Sequence, residues 1–342
     1  MTTSGSRVPA FCAGLVLAMG LVAAAPALAD DFYAGKQLRI LIGYGAGTGY
    51  DVYGRVMGRH IANHLPGAPT VLPINMPGAS SLTMVNHLYN VAPRDGTHIA
   101  VPARNLFVQP LFGNDQARYD SLKFSWIGSI TREVATCFTW HTSSIKTIAD
   151  ATKREVLVGA TSTLSGSYQF PRVINDVIGT RFKTITGYAD SGEVGLAMER
   201  GEIEGYCSFT WGSLKSARPQ WLEQKQITLL LQMTLRRHPD LPDVPMITDF
   251  AKDEAARQLL DLVFADQEMG RPVNGPPGIP ADRLTLLRRA FDATMADKAF
   301  LEDAERTGIE VDPIGGERVE EILTRLYATP KPVIDKLVAI RK

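Results

Sequence analysis

The chain has 342 residues, with 36 basic and 36 acidic side chains in balance and 45% hydrophobic content. That balance leaves no charge footprint for a nucleic acid or an anionic membrane surface, and argues against either as the main partner. Once an N-terminal export signal is set aside, about 310 residues remain, more than one small core organises comfortably and typical of two lobes.

The export signal is read from Arg7, the apolar stretch from Ala10 to Ala25, and the small-x-small site Ala27-Leu28-Ala29 before Asp30. Cleavage is expected after Ala29, placing a soluble protein in the periplasm. No cysteine stands directly after the cleavage site, and there is no twin arginine. Loss of Arg7 shifts the net charge to about −1. Cys137 and Cys207 remain, and an oxidising compartment allows either a disulfide or two buried thiols.

Leu38 to Ile42 is a short apolar run, as in a strand buried on both faces of a parallel sheet. Gly43, Gly45, Gly47 and Gly49 alternate after it. From Asp51, the spacing of Tyr53, Val56, Met57, His60, Ile61 and Leu65 predicts a helix. Strand, glycine loop and helix N-terminus make an anion site, because unpaired N–H groups point into the loop. A dinucleotide fingerprint fails: its sixth place is Thr48 or Tyr50, and Val71-Leu72-Pro73-Ile74 runs into Asn75 rather than an acidic residue. A P-loop fails for lack of Gly-Lys-Ser/Thr.

Pro69 to Ile74 is a second strand, followed by the loop Asn75 to Ser81 and a helix through Asn90. His98 to Val101 is a third strand, with Arg104-Asn105 just past its end. The pattern restarts at Trp126. Strands are predicted at Val134–Trp140, Glu155–Ala160, Thr184–Thr186, Gly205–Thr210 and Ile227–Met233. A helix is expected from Ser143-Ser144-Ile145-Lys146, another through Ile178 with Gly179 as its stop, and another from Glu193 to near Gly201. The stretch from Gly270 to Pro280 is too rich in proline and glycine for regular structure. Helices follow at Asp282–Met295, Lys298–Arg306 and Glu317–Tyr327. The alternation implies an α/β architecture of mostly parallel sheets, whose ligands sit beyond the carboxyl ends of the strands.

Several loops together carry a family resemblance. Gly43 to Asp51 stands where the solute-binding receptors of tripartite tricarboxylate transporters, the Bug-type proteins, have a proline- and glycine-rich loop ending in Thr-Asp. Asn75-Met76-Pro77-Gly78-Ala79-Ser80-Ser81 is similar to their Asn-Arg-Pro-Gly-Ala-Gly-Gly loop. Ala92-Pro93-Arg94-Asp95-Gly96-Thr97 resembles their Ala-Pro-Asp-Gly-Tyr turn with one inserted residue. Leu241 to Pro245 and Pro277 to Pro280 match two further signatures. The likeness spans Tyr33 to about Tyr327. It implies a type II, two-lobed Venus-flytrap periplasmic binding protein, carboxylates as solutes and a membrane transporter as docking partner. The chain departs from the family at Tyr44 and Tyr50, in the Ser/Thr-rich loop at 161–167, and at Tyr188-Ala189-Asp190, where the family has Tyr-Lys-Gly.

The expected division is 1–29 signal, 30–132 with 266–342 as one lobe, and 133–265 as the other, in a monomer. Expected ligand contacts are Gly47, Thr48, Gly49, Tyr50 and Asn105 from the first lobe, and Thr161, Ser162, Ser165, Gly166, Tyr188, Ser191 and Trp211 from the second. Arg271, between Gly270 and Pro272, is expected to hold a carboxylate bidentately, with Arg104 its competitor; the alternative for Arg271 is a hinge brace paired with Asp266 or Glu268. No cofactor or metal is expected, and no catalytic set assembles. Ser143-x-x-Lys146 lacks the companion motifs of a serine–lysine nucleophile, and His60/His64 lack the glutamate of a zinc helix. A sensory receptor without a transport role, or a hydrolase or lyase on the same scaffold, are the competing functions.

Overall fold

The computed structural model describes residues 1–3, 5, 32–161, 163, 165–188 and 191–341. The apolar stretch and cleavage site of the expected export signal, Ser162, Ala189 and Asp190 lie outside the described residues. The first part of the chain runs β1 (Gln37–Ile42), α1 (Gly49–His60), β2 (Thr70–Asn75), α2 (Leu82–Asn90), β3 (His98–Val101) and β4 (Ser125–Ser129). A second run follows: β5 (Ala135–Trp140), β6 (Val156–Ala160), α3 (Gly166–Ile178), β7 (Phe182–Thr186), α4 (Ser191–Glu199), β8 (Gly205–Thr210), α5 (Trp211–Ala217), α6 (Pro219–Glu223) and β9 (Ile227–Met233). The chain returns through α7 (Glu254–Phe264) and β10 (Pro272–Gly275). It ends with α8 (Ala281–Ala296), α9 (Lys298–Thr307), β11 (Ile314–Gly315), α10 (Gly316–Tyr327) and α11 (Lys331–Arg341).

β1 is built as its residues dictate. Leu38, Ile40 and Ile42 are fully buried while Arg39 turns out, and each buried aliphatic side chain stabilises by about 1.5–3 kcal/mol. Helix α1 packs on this strand through Tyr53, Val56 and Met57. It comes close because Gly54 and Gly58 face the tips of Ile42 and Ile40, where a Cβ would stand 2.9 and 3.1 Å from the isoleucine methyls.

The strands form two sheets, ordered β11-β4-β10-β3-β1-β2 and β7-β6-β8-β5-β9. Both are mixed rather than parallel throughout. β1 pairs in parallel with β2 and β3, and β6 with β7 and β8. The remaining ladder pairings are antiparallel; β5 and β10, the strands by which the chain enters each sheet from the other, run against their neighbours. The segment expected to be irregular contains β10, which sits in the middle of the first sheet with all four residues buried. Pro272 is tolerated because it occupies the first position of the strand. The helix expected at Ser143 is absent. Ser143 Oγ donates to Glu204 at 2.7 Å and accepts from the Ile145 N–H, and the segment makes one 3₁₀ turn, Asp150–Thr152. Hydroxyls that bind nearby backbone and side chains compete with helix formation.

Helix α11 extends the chain past the last helix read from sequence. Its Val333 and Leu337 join Val173, Ile174 and Phe264 in the core beneath the second sheet. Cys137 and Cys207 face each other across adjacent antiparallel strands and are disulfide-bonded. The bond closes a loop of 70 residues, which stabilises by roughly 4.4 kcal/mol in the chain-entropy account.

Candidate functional site

The loop after β1 is held by Asp51, 3% exposed. Its carboxylate accepts from the Gly47 N–H at 2.9 Å, Arg55 at 2.8 Å and Asn75 at 2.7 Å, and Asn75 also donates to the Tyr44 carbonyl. Burial pushes the Asp51 carboxyl up, but the hydrogen bonds from Asn75, Gly47 and Arg55 outweigh it and hold it below the usual range. A side chain at Gly43 would collide with Ser81, whose Oγ accepts from the Ala103 N–H. The three loops at the carboxyl ends of β1, β2 and β3 are thereby locked on one rim. The fixed loop presents Tyr44 and Tyr50 as a stacked pair, ring centroids 4.9 Å apart at 19°. Burial, then the neighbouring Tyr50, raises the Tyr44 phenol to about 12.

These rings form one wall of a cavity of about 270 Å³ between the sheets. On the first-sheet side it is lined by Tyr44, Tyr50, Arg104, Asn105, Val108 and Gln109. Gly166, Gln169, Phe170 and Ser208 line it on the second-sheet side, and Leu262, Val263 and Asp266 on the connecting segment. Gly166 is required by close approach: a Cβ there would come 2.9 Å from Ser208 Oγ and 3.0 Å from the Phe170 ring. A larger groove of about 710 Å³ runs beside β7, the outer strand of the second sheet, past Arg172, Arg181 and Lys183. It is open along the surface, whereas the cavity between the sheets is more enclosed, so that cavity is the better site.

Behind the cavity lies a buried charge cluster. Glu133, 7% exposed, is ion-paired with both Arg104 and Arg271. Asp266 stands 3.7 Å from Arg104 Nε. Burial pulls the Arg104 guanidinium down, but Glu133 and then Asp266 more than offset it, and its pKa is raised; Arg271 follows the same logic with Glu133. The Arg271 guanidinium carbon lies 4.4 Å from the Tyr50 ring centroid and 4.8 Å from that of Tyr53, a cation–π arrangement. The Tyr50 hydroxyl accepts from the Arg104 N–H at 3.3 Å. The cluster gathers Arg104 past β3, Glu133 where the chain leaves the first sheet, and Asp266 and Arg271 where it returns. Gln267, fully buried, ties the same crossing together by bonding the Ala135 N–H and the Met233 carbonyl.

Of the residues expected at the ligand, the cavity brings together Tyr50, Asn105 and Gly166. Gly47, Thr48 and Gly49 are exposed on the loop, with Thr48 Oγ1 donating to the Gly45 carbonyl. Thr161 donates its N–H to Ser167, and Ser165 Oγ is 2.7 Å from Ser167 Oγ. Ser191 opens α4, and Tyr188 packs in the cluster around Trp221, while Trp211 bonds Asp240 through its indole N–H. None of these lines the cavity among the described residues. Arg271 does not line the cavity and pairs with Glu133 rather than Asp266 or Glu268; Arg104 is the arginine that lines it. Gln169, Ser208 and Asp266 were missed. Only Gln169 had a usable signal, one turn into the helix behind an expected loop.

The side chains set aside as catalytic candidates are each engaged elsewhere. His60 meets Asp303 and His64 meets Asp297. Ser143 donates to Glu204, and Lys146 Nζ to the His141 carbonyl. Among the described residues no three His, Cys, Asp or Glu side chains converge as a metal site, and no helix is long and apolar enough to cross a membrane.

No family model matches the chain. It is 25% identical over 331 residues to a UPF0065 protein of Bordetella bronchiseptica, covering 92% of this chain and 91% of that one. Among solved structures it is similar to a TctC solute-binding protein from Polaromonas, with a TM-score of 0.69 at 19% identity, covering 89% of this chain and 99% of that one. The periplasmic binding protein BugD gives a TM-score of 0.63 at 17% identity, covering 89% and 98%. The resemblance read from the loop sequences is borne out, and the fold is that of the two-lobed periplasmic binding proteins.

Proposed function

We propose that this chain, built on the fold of the TctC and BugD solute-binding proteins, is an exported receptor for a small carboxylate. It captures the solute between its lobes and delivers it to a membrane transporter of the tripartite tricarboxylate type. The observation that carries this reading is the cavity. It is enclosed by residues past the ends of β1 and β3, by the first turns of α3 with Ser208 of β8, and by the connecting segment, and it offers hydroxyl, amide and guanidinium groups beside an aromatic wall. An R. palustris protein of the same fold was solved with adipate, which supports the solute class. The side chains weighed as catalytic are occupied by structural partners, and the reading assigns no reaction to the chain.

The proposed division is 30–132 with 266–342 against 133–265, hinged at the two segments that meet at Glu133 and Gln267. Helix α11 reaches from the first unit onto α3 and α7 of the second. Hinge closure would expel water and strengthen the polar contacts to the solute. The test is native mass spectrometry of protein purified from the periplasm, with small-angle scattering before and after ligand is added. A carboxylate of matching mass and a smaller radius of gyration on binding are expected. Turnover of that molecule by the purified protein would overturn the reading.

A further inference from the structure

The charge arithmetic around the cavity narrows the proposed solute class. Four ionisable groups meet there: Arg104 and Arg271 against Glu133 and Asp266. Two cations and two anions leave the cluster formally neutral. The guanidinium at the cavity, Arg104, is already ion-paired with Glu133, and a carboxylate, Asp266, lines the same cavity. The rest of the lining mixes amide and hydroxyl groups with the aromatic and aliphatic surface of Tyr44, Tyr50, Phe170, Leu262 and Val263. Arg104 Nε is buried without a hydrogen-bond partner among the described residues and can take one carboxylate; a second negative charge brought into about 270 Å³ would find no further cation among the described lining residues, and would face Asp266 through a poorly screened space.

Resting on the solute-receptor reading above, we infer that the ligand is a monocarboxylate with a ring-sized apolar body, and that Asp266 is the residue that disfavours dicarboxylates. The single carboxylate lies against the Arg104 guanidinium. The body lies on the Tyr44–Tyr50 stack and Phe170, where burial of apolar surface supplies the affinity that a second charge cannot.

The test is calorimetric titration of the wild-type protein with phenylacetate, adipate and adipate monomethyl ester. The last two share a body and differ by one charge. Phenylacetate and the monoester are each expected to bind about tenfold or more tighter than adipate. In Asp266→Asn the ratio of monoester to adipate affinity should fall by about tenfold. Tyr44→Ala should weaken phenylacetate more than adipate. Adipate binding as tightly as its monoester in the wild type overturns the inference while leaving a carboxylate receptor standing. An unchanged ratio in Asp266→Asn, with the fold verified by circular dichroism, removes Asp266 from the role. Binding of neutral benzamide but of none of the three acids would overturn the carboxylate reading itself.

Discussion

Two sets of ion pairs join the halves of this molecule, and they differ in environment rather than in chemistry. The inner set is Arg104, Glu133, Arg271 and Asp266, packed against Tyr50 and Tyr53. The outer set is a surface strap: Asp312 receives Arg132 and Arg236, and Lys215 reaches both Asp240 and Glu310. The inner charges are buried, Glu133 at 7% and the Arg271 side chain at 12%, whereas Arg236 is 57% and Asp312 41% exposed. Water solvates the outer charges whether or not they pair, so breaking a pair there costs little. The inner charges have surrendered hydration and depend on one another. Closeness of contact alone does not say what an ion pair contributes.

The comparison breaks most sharply at Glu133. Glu133→Gln leaves two buried guanidiniums without their shared anion and is expected to cost about 3–5 kcal/mol in urea unfolding. A loss below about 1 kcal/mol would put the inner set on a par with a surface pair. Next comes Arg271→Lys, which keeps the charge but loses the planar stack between the two tyrosines. A cost of about 2 kcal/mol is expected, and indistinguishable unfolding midpoints for the two proteins would remove the cation–π contribution.

Acid titration sharpens the contrast further. Asp51 lies under the cavity loop and is held below the usual carboxylate range against the opposing effect of burial. Asp240 on the strap is lowered by Lys215 and Trp211. A carboxyl whose folded pKa lies below its unfolded value of about 4 contributes stability that is complete above that value and lost as pH falls through the folded pKa. Melting curves between about pH 2 and 5 should therefore flatten more in Asp51→Asn than in Asp240→Asn, where solvent screens the exposed partner. Equal flattening would mean that burial is not what separates them. The smallest effect is expected at Asp312→Asn, about 0.2–1 kcal/mol and shrinking as salt is added. A larger, salt-insensitive loss would show that the strap acts through packing instead.

What could be read along the chain, and what could not, follows the range of the interactions involved. The strand at Leu38 to Ile42, the glycine loop and the helix after it are written in neighbouring residues, because burial periodicity and backbone freedom act over a few positions. The order of the loops was enough to indicate a two-lobed solute-binding fold. The bare sequence left Cys137 and Cys207 open between a disulfide and two thiols, because only their facing positions on β5 and β8 bring them together. β10 was hidden for a related reason. Pro272-Val273-Asn274-Gly275 has no strand signature, and its place between β3 and β4 comes from the sheet that receives it. The cavity depended most on tertiary structure. Arg104, Glu133, Asp266 and Arg271 are spread between positions 104 and 271, and the paired charges that neutralise Arg271 and leave Arg104 lining the cavity meet only where the two crossing segments pack. A charge's worth is set by the water it has lost and the partner it has gained, and neither is recorded in the residues beside it.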